Sequence, residues 1–411
     1  MKSTVFFFRK CSLMMDILYL SHCVPDAPNK GEKIRACFWV QEIAKQHRLH
    51  LVCFARTDAE VAAAKAMRNC ASVYVEKISR NAALAKATWG FLQGSCLITR
   101  YFQSAAMQDH VRRLSGRVKL EATVAYTTVM APYAPPDVPV LLDMSDVDSQ
   151  KWFQYSATRK PAFLFDAVAK RLRKQEILYA ESSRRTILIT EQECSLLRSF
   201  ALRASATYIE NGVDFSRFNP ATAPEIPALR GRTFLAFVGA MDYYPNVQAV
   251  MWFAKEVWGE LRKRTPKLEL GIIGRHPSRD VTALGSIPGI WLEASPPDVV
   301  PFLSASAAVI APLRMARGIQ NKVLEGLAMG KTVFSSTPIC ESLGADLPRG
   351  VVHCPSATEF IERISSAPLA AGMWDPGIRN EAQTRFSWPR AMERLREEMT
   401  AIADPAVGLP L

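Results

Sequence analysis

No stretch of the 411 residues approaches the ~20 consecutive apolar positions of a membrane-spanning helix, although 49% of the chain is hydrophobic. The apolar residues come in short runs, as in a soluble globular protein long enough for two cores. Nine cysteines are scattered without a CxxC pair. Most of them (Cys37, Cys53, Cys194, Cys340) have apolar neighbours, where a free thiol acts as a small core residue. That usage points to a reduced, cytoplasmic protein. The GxGxxG dinucleotide fingerprint and any serine-centred nucleophile motif are missing. The closely spaced His47 and His50 have no third ligand and read as surface histidines. At the start, MKSTVFFFRKCSLMM is a poor leader, because Arg9 and Lys10 interrupt the apolar stretch after five residues. Residues 1–14 therefore read as an extension, with Met14 or Met15 as the native start before the strand DILYL.

What is present is an uneven positive charge. Residues 1–205 hold 30 Lys and Arg against 18 Asp and Glu, and residues 206–411 hold 21 of each, so the whole excess of +12 lies in the first half. A solvated surface accounts for it, and so does a basic face for an anionic partner such as a phospholipid surface or a lipid-linked phosphate. The segment VAKRLRKQEILYAESSRR (Val168–Arg185) concentrates the charge on an expected amphipathic helix. No recognition motif or aromatic-interleaved basic run points to nucleic acid.

Periodicity then gives the architecture. DILYLSH, LHLVCFA, SVYVEKI, ATVAYTT, PVLLDMS and RTILIT alternate with helical patterns in the first half. RTFLAFVGAM, LELGIIGR, IWLEAS, AAVIAPL and KTVFSS do the same in the second, where VQAVMWFAKEVWGELRKR reads as one helix. Alternation of this kind predicts two doubly wound α/β domains with parallel sheets. They join at the Pro-, Gly- and Asn-rich segment from Ile209 to Arg232. Ligands bind beyond the carboxyl ends of such strands, so two facing sheets would hold a ligand in the cleft between them.

Several short motifs then call for a reading. The loop PDAPNKGEKIRACFW carries Lys30 and Gly31 into a helix start, a place suited to phosphate or to an ordinary turn; Lys33 follows one turn on. Asp146-Val147-Asp148 spells D-x-D, but Asp148 fits a helix N-cap better than a metal ligand. Asp143, Asp146 and Asp148 end a strand and remain candidates for the acceptor side of the cleft. GLAMGKT is one residue short of a phosphate loop and runs from helix to strand, the wrong direction. Gly330 is therefore read as a helix C-cap, and ATP hydrolysis is excluded.

The most informative stretch is PLRMARGIQNKVLEGLAMGKTVFSS, residues 312–336. Arg314, Arg317 and Lys322 occupy a strand-to-helix loop and the first helical turn, where the helix dipole disfavours cations. A diphosphate would resolve that conflict by accepting from arginine forks and backbone amides together. Glu325, one turn deeper, would accept two hydroxyl hydrogen bonds from a ribose. The alternative is a solvated loop in which Glu325 pairs with Lys322.

These residues resemble a family. KVLEGLAMGKTVFSS is similar to the signature of the family 4 retaining glycosyltransferases of GT-B fold, in which an apolar helix with a glutamate follows a donor-binding loop. The Pro-rich loop with Gly31, IENGVDFSRFNP, FVGAM, LGIIGR and the terminal RFSWPRAMERLREEM match in the family's order, over roughly residues 15–400. PLRMARGIQNKVLEGLAMG looks more narrowly like sugar transferases of bacterial exopolysaccharide and protein-sorting gene clusters. The resemblance implies sugar transfer, with retention, from a UDP- or GDP-linked donor to a glycan or polyprenyl-diphosphate-linked acceptor. It also implies an acceptor domain at 15–208, a donor domain at 209–384, and a C-terminal helix at 385–411 returning to the first domain. Glu325 would bind the ribose, with Arg314, Arg317 and Lys322 on the diphosphate. Gly31, Arg317 and Glu325 would surround the reacting centre, with no metal or cofactor.

The sequence departs from the family twice. Arg317 stands where the family has a second glutamate. GAMDYYPNV lacks the Arg and Lys that usually follow the first strand of the donor domain, and Arg314, Arg317 and Lys322 are expected to compensate. The expected protein is a cytoplasmic enzyme of cell-surface polysaccharide assembly, docked peripherally on the inner membrane. Its rivals are a nucleotide-sugar epimerase and a binding protein that keeps the fold without turnover.

Overall fold

The structure, a computed structural model, describes residues 14–27, 31–316 and 318–403. Lys30, Arg317 and all of the expected extension except Met14 lie outside the described residues. Two compact units divide the chain. The first comprises Met1–Leu188, Cys194–Tyr208 and Met392–Leu411, and the second Ile189–Glu193 and Ile209–Ala391.

In the first unit, seven strands form one sheet: β1 (Asp16–Ser21), β2 (Arg48–Ala55), β3 (Ser72–Lys77), β4 (Ala122–Tyr126), β5 (Val140–Ser145), β6 (Arg185–Leu188) and β7 (Ala206–Tyr208). Their order is β3-β2-β1-β4-β5-β6-β7, and every neighbouring pair is parallel. Ile17 sits opposite both Leu49 and Ala122. The second unit repeats the plan with β8 (Phe234–Val238), β9 (Glu269–Gly274), β10 (Ile290–Ala294), β11 (Ala308–Ala311), β12 (Val333–Ser335) and β13 (Val351–His353). The order there is β10-β9-β8-β11-β12-β13, again parallel. Helices cover both faces of a parallel sheet, so its strands read as continuous apolar runs; all five residues of β8 are buried.

In each sheet the strand order reverses beside the first strand, between β1 and β4 and between β8 and β11. Loops leaving the carboxyl ends of such a pair diverge and leave a crevice, the usual ligand position in open α/β sheets. The residues Pro312–Gln320 follow β11 at that point of the second sheet.

Departures from the sequence reading have local causes. β7 and β13 are edge strands of three residues each, only partly buried, and so without the apolar run that marks the equally short β12. The helix expected from Val247 to Arg264 begins at Tyr244 and widens into a π-turn at Ala254–Trp258 before Gly259–Arg264. The basic segment lies on the helix Ala162–Ser182, but several of its cations face protein. Arg171 donates to the Phe91 and Ser95 carbonyls. Arg173 donates to Ser149 and stacks on the Phe200 ring at 3.7 Å. The terminal helix Trp388–Ala403 starts in the second unit and belongs to the first from Met392 on. There Arg185 meets Glu398 at 2.7 Å and Arg396 meets Glu42.

Candidate functional site

The site grows from the helix Asn321–Ala328, and its apolar positions explain why it sits where it does. Val323, Leu324, Leu327 and Ala328 are buried, and each large side chain contributes about 1.5–3 kcal/mol on leaving water. Gly326 lets the helix close on the sheet: a Cβ there would already stand 3.1–3.2 Å from Val333 and Val309. The same face carries Lys322 inward. Lys322 is 6% exposed, its Nζ donates to Asn246 Oδ1 at 2.5 Å, and it lies 4.4 Å from the Phe237 ring centre.

Asn246 belongs to the first turn of the helix Tyr244–Phe253 and donates in turn to the Ala240 carbonyl at 2.9 Å. Gly239, directly after β8, completes the group. A Cβ at that position would come within 2.6 Å of Asn246 Nδ2 and 3.3 Å of Lys322 Nζ. Gly274, at the end of β9, is held as tightly, since its Cβ would fall 1.7 Å from the Gly239 carbonyl oxygen. Two glycines at the carboxyl ends of adjacent strands thus leave bare backbone beside a buried ammonium.

The electrostatics are unusual for a core. Burial pushes the Lys322 ammonium down to about 7, with Glu325 acting to raise it. Glu325 still reaches solvent in part, yet surrounding atoms desolvate its carboxyl and push it up to about 7. Arg217 and Lys322 pull it down, and Asp298 pushes it up. The i,i+3 ion pair between Lys322 and Glu325 considered from sequence does not form within 4 Å; the lysine turns to Asn246 instead. Arg217 meets Asp298 at 2.9 Å. The helix start has no side-chain cap and no acidic residue in its first turn. Its amides and Lys322 therefore present positive potential at the β8/β11 reversal.

The other expected residues are distributed as follows. Arg314 is exposed on the loop after β11. Gly31 opens the helix Gly31–Gln46 in the first unit. Lys33 is buried and paired with Asp26 at 2.9 Å and Glu60 at 2.8 Å. Desolvation would lower its pKa, but those hydrogen bonds leave it raised. Asp143 is fully buried against Arg35 at 2.7 Å; desolvation raises its pKa despite that pairing. Asp146 is half-buried, whereas Asp148 is exposed and is the first residue of the helix Asp148–Thr158, one position past the N-cap expected for it. Thus Lys322 and Glu325 share one place in the second unit. Lys33 and Asp143 are each enclosed by partners of opposite charge in the first.

Gly330 has φ 66° and closes the Glu325 helix. Lys331 N–H donates to Gly326 O and Gly330 N–H to Leu327 O, the Schellman pattern. The Lys331 ammonium is buried on the Ser304, Ser306 and Met373 carbonyls at 2.7–2.8 Å. It holds backbone together and serves no phosphate.

Sequence reasoning missed Asn246, Arg217 and Asp298. Asn246 had a faint signal as the polar residue after Pro245 at a helix start. Arg217 and Asp298 are 81 positions apart and had none.

Residues 232–367, within the second unit, match the family model for group 1 glycosyl transferases. Solved structures extend the likeness to the whole fold. Sucrose-phosphate synthase of Thermosynechococcus elongatus matches with a TM-score of 0.65 at 13% identity, covering 94% of this chain and 99% of that one. HepE of Anabaena, solved with UDP and glucose, gives 0.64 at 11% identity over 94% and 100%. A UDP-forming α,α-trehalose-phosphate synthase of Burkholderia xenovorans gives 0.62 at 12% over 95% and 100%. The fold is GT-B, with two Rossmann-like domains. A comparison with curated proteins found no match.

Proposed function

We propose that this protein is a retaining glycosyltransferase that moves a sugar from a nucleoside diphosphate donor to a glycan acceptor in cell-surface polysaccharide assembly. The observation that carries the reading is the Lys322 ammonium, buried beside the bare backbone of Gly239 with no carboxylate within 4 Å among the described residues. A buried cation without a counter-charge is costly, and a diphosphate supplies that charge. Lys322 reaches the loop after β8 from the opposite side of the crevice, at the segment that lacks its own bases. Glu325, one helical turn on, takes the ribose hydroxyls. Arg314 and Arg317 add donors to the diphosphate. UDP is the favoured base, because HepE and the trehalose-phosphate synthase are both described with UDP.

The acceptor belongs to the first unit and is lipid-linked in this reading. Among the described residues no helix is long and apolar enough to cross a membrane. Peripheral docking is supported by the positive first half and by exposed Trp89 (63%), Leu92 (74%) and Phe163 (70%). The test is calorimetric titration with UDP, GDP, ADP and dTDP, without metal, of wild type, Glu325→Ala and Arg314→Ala. Micromolar binding of one nucleotide (about −8 kcal/mol), weakened in both variants with the fold intact, is the expected result. No binding of any nucleotide, with or without magnesium, overturns the reading.

A further inference from the structure

Lys322 is buried, yet the group that meets its ammonium is neutral. The helix Asn321–Ala328 sets it against the Asn246 side chain, the Phe237 ring and the backbone of Gly239, none of which titrates. The charged group that acts on it is Glu325 of its own helix, which Arg217 and Asp298 influence in turn. A carboxamide therefore stands where stability alone would favour a carboxylate.

The orientation of that amide follows from what each neighbour can do. The Ala240 carbonyl only accepts, so the Asn246 amino group must face it, and it donates there at 2.9 Å. An ammonium only donates, so the Asn246 oxygen must face Lys322, and it accepts at 2.5 Å. Asn246 is itself 6% exposed, in the first turn of the helix Tyr244–Phe253, where its backbone N–H donates to the Tyr243 carbonyl at 2.9 Å. Gly239 closes the group, since a Cβ there would stand 2.6 Å from Asn246 Nδ2 and 3.3 Å from Lys322 Nζ. Amide and ammonium are thus held in one geometry.

This arrangement aims the lysine without neutralising it. An aspartate of the same shape would face Lys322 with a full charge, and an arriving diphosphate would have to compete with it for the ammonium. Its second oxygen would lie against the Ala240 carbonyl, and its charge beside the phosphates. The amide does neither. Burial pushes Lys322 down to about 7, so above that pH the free protein holds it mostly as the amine. A diphosphate beside it favours the charged form and restores the proton.

We propose that Asn246 is a positioning residue that keeps Lys322 aimed and without a countercharge, so that nucleoside diphosphate binding takes up a proton at that lysine. The inference rests on the donor reading in taking the diphosphate as the ligand. UDP is titrated calorimetrically into wild type, Asn246→Asp and Asn246→Ala at about pH 8, in buffers of different ionisation enthalpy, which counts the protons exchanged. At that pH Glu325, raised to about 7, is already ionised and adds no proton of its own. The expected result is about one proton taken up per UDP in wild type. Asn246→Asp, whose carboxylate keeps the lysine charged, should take up little or none and bind UDP about a hundredfold more weakly. Asn246→Ala should lose about tenfold in affinity and keep the proton uptake, because it removes the aim and adds no countercharge. Urea unfolding of the same chains checks the fold and reads the charge a second way. The rise of wild-type stability between about pH 7 and pH 10.5 should flatten in Asn246→Asp. Unchanged UDP affinity in Asn246→Asp, or no proton uptake in wild type, would each overturn the inference and leave the donor site standing. No UDP binding by wild type would overturn the donor reading and this inference with it.

Discussion

Replacing Lys322 by methionine is expected to remove nucleotide binding while relieving a cost that the ligand-free chain carries at neutral and acid pH. The ammonium falls from 10.5 to about 7 on burial, which opposes folding by on the order of 4 kcal/mol while the group is charged. Because the folded pKa is the lower one, the unfolded chain binds more protons between about 7 and 10.5. Wild-type stability therefore rises with pH across that window, and the penalty is present in full only below it. Methionine removes the titration. It also leaves Asn246 Oδ1 without its donor, which costs about 1–3 kcal/mol at every pH. The pH-dependent part is thus the clean signal. The stability of Lys322→Met relative to wild type should fall by on the order of 4 kcal/mol between about pH 6 and pH 10.5. Lys331, also lowered to about 7 by burial, is common to both chains and cancels. In the same variant UDP should lose a charged donor to its diphosphate, about 2–4 kcal/mol, or roughly thirty- to a thousandfold in Kd. Urea unfolding across the pH range, paired with calorimetry, reads both quantities. A stability difference constant with pH, together with unchanged UDP affinity, would refute the reasoning.

Three further outcomes follow from the same geometry. Glu325 is raised to about 7, so the folded chain binds the extra proton and stability is lost as pH rises from about 4.5 through 7; Glu325→Gln should flatten that slope in denaturant titrations. Lys331→Met should orphan three carbonyls, at about 1–3 kcal/mol each, a loss seen in full at about pH 10.5 and offset at acid pH by relief of the ammonium's burial cost, on the order of 4 kcal/mol, while leaving nucleotide affinity intact; a loss of affinity at unchanged stability would return that lysine to the phosphate. Gly274→Ala should cost about 1–3 kcal/mol and weaken UDP binding, because its Cβ displaces Gly239 beside Lys322; a variant with wild-type melting temperature and Kd would contradict the packing described.

The sequence by itself determined the plan of the two sheets. Buried parallel strands must be short apolar runs, and helices between them must show their own period, so β1 to β6 and β8 to β12 were legible. Edge strands β7 and β13 were not, because they are only partly buried and lack the apolar run that marks β12, which is equally short but fully buried. Gly330 was readable as a helix end, since a left-handed residue after an apolar helix is most easily glycine, and so was the oddity of cations at an uncapped helix start. Which cation turns inward was decided only by tertiary structure. Lys322 and Arg314 look alike in the sequence, yet the helix face that buries Val323 and Leu327 also carries Lys322 to Asn246, 76 residues away, and leaves Arg314 in solvent. Likewise Asp143 and Lys33, which looked free to meet a ligand, found Arg35, Asp26 and Glu60. Pairing across such separations depends on where the chain returns, and no local spacing records that.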